Sequence, residues 1–186
     1  MKAMLLALPL TMLAACDSSP EVKLDNAKPS EVAAKIREAV GDSDYVRPGK
    51  WVTSITIDEI NIPGMPPEFA AKMKQQNVAA RDVESCLTPE QAKQPKGGMF
   101  AGIDKSCRYE RFTMKGGKIE AAMRCTQNQT VQTMTMTGNY TPERYDMNLS
   151  SEVGGTGPQA GTTMKMNVAS RRVGECDAKA AAAAGS

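Results

Sequence analysis

RYERFTMKGGKIEAAMRCT, residues 108–126, carries the fold in miniature. Gly116-Gly117 stands between two runs of strand-forming residues, and paired glycines supply the positive φ of a two-residue hairpin turn. Such a turn sets Met114 opposite Ile119 and Phe112 opposite Ala121, which gives the hairpin one apolar face. Further along, Thr130 to Tyr140, Arg144 to Val153 and Thr162 to Val173 are also strand-like. Their connectors include Gly138-Asn139, Thr141-Pro142 and Gly154-Gly155-Thr156-Gly157-Pro158. Turn chemistry at roughly ten-residue spacing predicts an antiparallel meander. Upstream, Trp51, Thr53, Ile55 and Ile57 alternate with Val52, Ser54 and Thr56, and another strand is expected from Val78 to Leu87. The predicted class is therefore mainly β: about seven strands in a curved sheet or partly closed barrel.

One or two short helices accompany it. Ser30 to Val40 places Val32, Ile36 and Val40 on one face, with Ser30 as cap and Gly41 as terminator. Thr88-Pro89 opens a second short helix. Pro63 to Pro67 interrupts the chain, and Glu68 to Gln76 reads either as a helical turn packing Phe69 and Met73 or as a loop.

Residues 1–15 form a signal peptide: Lys2, then an apolar run from Met4 to Ala15, too short to span a bilayer. Leu13-Ala14-Ala15-Cys16 resembles the bacterial lipobox. Cleavage before Cys16 and attachment of diacylglycerol and an acyl chain such as palmitate would anchor the chain to a membrane, at roughly 0.8 kcal/mol per buried methylene. An aspartate after the lipidated cysteine, as at Asp17, tends in enteric bacteria to keep lipoproteins on the inner membrane; both membranes stay open here. Residues 16–29 read as a lipidated flexible tether, 30–176 as a single β-rich domain, and 177–186 as a disordered alanine-rich tail. The expected location is the cell envelope of a Gram-negative bacterium, facing the periplasm.

A formal charge of +2 gives no basic footprint, so nucleic acid is not an expected partner. Histidine is absent, which removes Ser-His-Asp and Cys-His pairs. There is no Ser-x-x-Lys, no Gly-x-Ser-x-Gly and no glycine-rich phosphate loop. Asp58 and Glu59 are strand neighbours whose side chains point to opposite faces. The chain is expected to be non-enzymatic and to need no cofactor beyond the lipid on Cys16.

Besides Cys16 there are four cysteines, Cys86, Cys107, Cys125 and Cys176, with no C-x-x-C among them. In an exported domain an even number reads as two disulfides. Three pairings are possible, and Cys107–Cys125 with Cys86–Cys176 is preferred. A two-residue turn at Gly116-Gly117 nevertheless puts Arg108 opposite Cys125, so a direct Cys107–Cys125 bridge requires an extra residue, as a bulge or a longer turn.

Several motifs in order resemble a known family. They are Pro48-Gly49-Lys50-Trp51 opening a strand, the Pro/Gly/Met segment 62–67, Cys86-Leu87-Thr88-Pro89-Glu90, the Gly-Gly-Lys hairpin before Cys125, Met-Thr-Met-Thr-Gly at 134–138, and Gly174-Glu175-Cys176. Over roughly residues 46–176 the chain resembles the proteobacterial exported family known as domain of unknown function 3617. The resemblance implies a small, exported, β-rich protein and supplies no activity, substrate or catalytic residue.

Ten of the thirteen methionines follow the signal. Met134 and Met136 share one strand face, Met164 and Met166 another, and Met114, Met123 and Met147 can join them. They fill a core between sheet and helix, line an adaptable groove for an apolar ligand or envelope protein, or hold Cu(I) through thioethers. The missing histidine and the commitment of the thiols to disulfides weigh against the metal. Arg108, Arg111, Arg144, Arg171 and Arg172 either gather on one sheet face to meet an anion or lie solvated beside Glu110, Glu143 and Glu175; the second reading is favoured.

Overall fold

A computed structural model describes residues 20–41, 46–78, 82–93, 106–127, 129–157 and 159–177. The signal peptide, Cys16 and the alanine-rich end of the tail lie outside them. The chain runs β1 (Glu21–Ala27), α1 (Pro29–Val40), β2 (Gly49–Asn61), α2 (Pro67–Val78), β3 (Val83–Leu87), α3 (Pro89–Ala92), β4 (Cys107–Lys115), β5 (Lys118–Gln127), β6 (Thr130–Thr141), β7 (Arg144–Gly155) and β8 (Thr163–Gly174). All eight strands join one antiparallel sheet in the order β1-β4-β5-β6-β7-β8-β2-β3. Its edges are β1 and β3, so it does not close into a barrel.

The meander follows the turns. Gly116 and Gly117 adopt φ of 56° and 74°, and Met114 pairs with Ile119 and Phe112 with Ala121 as the hairpin requires. A register shift between Tyr109 and Arg111 then brings Cys107 opposite Cys125, so the bridge uses a bulge. The disulfides are Cys107–Cys125 and Cys86–Cys176, separated by 18 and 90 residues. In the chain-entropy description they remove roughly 3 and 4–5 kcal/mol of freedom from the unfolded chain.

Two sequence expectations are corrected. Residues 21–27, within the stretch read as tether, form the eighth strand. Polar composition concealed it because β1 is an edge: Glu21, Lys23 and Asp25 point outward, while Val22 and Ala27 are buried against β4. The strand expected from Val78 begins only at Val83, and of the two readings of Glu68 to Gln76 the helical one holds, as the twelve-residue helix α2 that packs beside β2.

The helix expected from Ser30 starts earlier, with Pro29 in its first turn and the Glu31 carboxylate accepting from the Lys28 backbone N–H at 2.6 Å. At its other end Gly41 donates its N–H to the Arg37 carbonyl at 2.8 Å. Helix α1 buries Val32, Ala33 and Ile36 on the sheet, against Val22, Ala27, Tyr109, Phe112 and Met114. Fully burying Val32 or Ile36 contributes about 2–3 kcal/mol each. The sheet face under α1 is the inner face.

Candidate functional site

The registers place the methionines in cross-strand rows on the inner face. One row runs Met123, Met134, Ser151, Met164 and Ile60 from β5 to β2. The next is Ala121, Met136, Leu149, Met166 and Ile57. The third is Ile119, Gly138, Met147, Val168 and Ile55. All three are apolar apart from Ser151, and all three change character along their length. At the β5 end, Met123, Ala121 and Ile119 are 5% exposed or less. By β8 and β2 the side chains are partly buried, and Ile55 is 45% exposed. Val83 on β3, opposite Thr53, is 56% exposed, and Phe69 on α2 is 58% exposed.

The seven methionines therefore separate. Met114, Met123, Met136 and Met147 are buried in the hydrophobic core, the placement that the core reading of the methionines describes. Helix α1 packs on β1 and β4 at that side of the sheet. Met134, Met164 and Met166 are partly buried in the open half. Gly138 sits in the third row because β7 leaves no space there: an added Cβ would lie 2.1 Å from the Asp146 carbonyl oxygen and 2.6 Å from the Met147 sulfur. Among the described residues no cluster of three His, Cys, Asp or Glu is placed to hold a metal ion.

At one corner of the open half, Trp51 stacks on Tyr145 with ring centroids 6.0 Å apart and donates its indole N–H to the Arg47 carbonyl at 3.1 Å. Arg172, paired with Trp51 across the strands, donates from Nε to the Pro48 carbonyl at 2.6 Å and ion-pairs with Glu175. Gly49 passes alongside at φ 141°, where a Cβ would lie 2.5 Å from Arg172 Nε and 2.4 Å from the Gly174 carbonyl. The Pro-Gly-Lys-Trp motif thus makes room for a guanidinium. Arg47 N–H donates to Pro142 and Arg172 N–H to Glu143, both at 2.8 Å, which ties in the β6–β7 turn. The Cys86–Cys176 bridge staples the end of β3 to the chain after β8.

The strand-opening motif, the two bridges and the glycine hairpin all fall inside one matched region. Residues 46–176 match the family model described as protein of unknown function (DUF3617). The chain belongs to this family. The DUF3617 region runs from just before β2 to the last disulfide cysteine and leaves β1 and α1 upstream of it. No curated protein and no solved structure matches the chain significantly.

The arginines distribute by parity. Arg108, Arg111, Arg144 and Arg171 lie on the outer face, while Arg172 belongs to the corner. Glu110 pairs with Arg124 at 3.1 Å and Glu143 with Arg47 at 2.6 Å, so acids interleave with them. On the inner face, burial pushes the Tyr109 phenol up to about 12, and burial also raises Tyr140. Lys50 is held above its usual value by its hydrogen bond and charge contact with Glu84 at 2.7 Å.

Proposed function

We propose that this DUF3617 protein is a non-enzymatic envelope lipoprotein that holds an apolar molecule, of acyl-chain type, on the open half of its sheet. The observation that carries the reading is the change along the three rows: a surface from β5 to β2, apolar apart from Ser151, that is buried at its β5 end and ends in exposed Ile55. Methionine suits such a surface because its unbranched, polarizable side chain reshapes around irregular apolar partners. The lipobox ending at Cys16 and the signal before it support placement at a membrane, where acyl chains are abundant. Two disulfides accord with an oxidising compartment.

Native mass spectrometry on the gently extracted protein tests the binding. The expected spectrum shows the covalently lipidated chain plus a further, dissociable acyl lipid, and Met166→Lys abolishes that second mass. A spectrum with no retained lipid, or one in which Met166→Lys keeps it, refutes the reading. Incorporation of labelled palmitate, lost in Cys16→Ser, tests the anchor separately.

A further inference from the structure

We propose that one end of the sheet, on its outer face at Lys115, Lys118, Arg144 and Arg171, docks on the anionic headgroups of the bilayer that holds the protein; this rests on the reading of Cys16 as the lipid anchor. Strand β1 begins at Glu21, five residues after Cys16, and five residues reach at most about 18 Å. The end of the sheet that carries Glu21 therefore stays close to the bilayer. Register identifies that end. Glu21 pairs with Lys115, Lys115 with Lys118, Lys118 with Asn139, Asn139 with Asp146, and beside them Arg144 with Arg171.

Two of these are like-charged residues set directly across from one another, an arrangement that opposes sheet pairing unless an anion answers it. Glu21 answers Lys115 at 2.8 Å, and Asp146 reaches Arg144 only at 4.0 Å. Lys118 and Arg171 have no ion pair among the described residues. The nearby Glu84, Glu143 and Glu175 are engaged by Lys50, Arg47 and Arg172. A third like-charged pair, Arg108 with Arg124, lies toward the opposite end and is answered within the fold. There Arg124 pairs with Glu110 at 3.1 Å and Arg108 donates to the Asn26 carbonyl at 3.0 Å. The described residues of the far turns, 61–66, 127, 129–130, 154–157 and 159–162, include no charged residue. Lys118 and Arg171, each set across from another cation, thus lie at the end that the anchor brings to the membrane.

The test uses the full lipidated chain in vesicles of phosphatidylcholine with or without phosphatidylglycerol. A dye sits at Asn139→Cys, on the anchored end, or at Gln159→Cys, about 30 Å further along the strands, and transfers energy to a headgroup acceptor. With phosphatidylglycerol present, transfer from position 139 is expected to exceed that from position 159 several-fold. The excess shrinks in neutral vesicles, in high salt, and in K118Q/R144Q/R171Q. Equal transfer from both positions, or an excess indifferent to phosphatidylglycerol and salt, overturns the proposal; the salt series on the otherwise unaltered chain decides it even where the triple variant folds poorly. The amino-terminal mass is read first. An unlipidated terminus overturns the anchor reading and the docking with it, whereas a lipidated terminus with equal transfer overturns the docking alone.

Discussion

Replacing Met147 and Met166 separately by alanine measures how far the inner face is open. Both side chains lie on that face, in adjacent rows on neighbouring strands, and the exchange removes the same atoms. Met147 is 2% exposed within the core cluster. Truncation there withdraws about 100 Å² of apolar burial, or about 2.5 kcal/mol at 25 cal/mol per Å². The residual void adds about 1 kcal/mol, at about 24 cal/mol per Å³, since the surrounding strands cannot collapse onto it. The expected loss for Met147→Ala is about 3–4 kcal/mol. Met166 is only partly buried, between partly buried Leu149 and Ile57. Its removal leaves a notch that water fills, so the cavity contribution vanishes and the transfer contribution falls, to about 1–2 kcal/mol in all. Urea unfolding at constant m-value, with the disulfides intact, reads both numbers. Equal losses would show that Met166 is as enclosed as Met147, and the open half of the sheet would not exist.

Gly138→Ala is expected to cost about 1–3 kcal/mol or more, read as a lowered melting temperature, because the new methyl meets the Asp146 carbonyl and the Met147 sulfur; an unchanged melting temperature would contradict the close approach of β6 and β7. Alkaline unfolding should follow Tyr109. Its folded-state value is raised to about 12, so its contribution is fully present below pH 10 and is lost as pH rises toward 12, by about 2–3 kcal/mol in all. Tyr109→Phe should flatten that limb of the stability curve, and an identical limb in the variant would refute the assignment. Replacing Cys86 and Cys176 together by serine should lower stability by up to about 4–5 kcal/mol. Hydrogen exchange should speed first at Val83–Leu87, the five-residue edge strand that the bridge holds; faster exchange centred on β4 and β5 instead would count against that role.

Glycines, prolines and alternation made most of the architecture legible. The Gly116-Gly117 turn fixed which side chains face each other in its hairpin, and the mismatch it created at Cys107 announced the bulge beside Tyr109. Strand β1 was not legible because an edge strand keeps one side in water, and Val22, Leu24 and Ala27 are too few to stand out from their polar neighbours. Helix α2 lacks a clear apolar stripe, since Phe69 is exposed, so the sequence left helix and loop both open there. The methionine rows followed from alternation within strands. Their division into core and open surface did not, because burial depends on contacts between elements distant in sequence, such as β1 paired with β4 and α1 packed on both. The Arg172 corner was equally hidden: Pro48-Gly49 and Arg172 are more than a hundred residues apart, and only the β2–β8 pairing brings them together.

Strand β1 also decides how the molecule bears a pull. Its six paired positions with β4 bond at right angles to the strand, while a tug from a tether ahead of Glu21 acts along it. Drag on the rest of the molecule therefore loads those bonds side by side in shear, and none can be opened singly as in a zipper. The first strand is in this sense a mechanical clamp: detaching it would uncover Phe112 and Met114, so resistance to stretching and integrity of the core reside in the same seven residues.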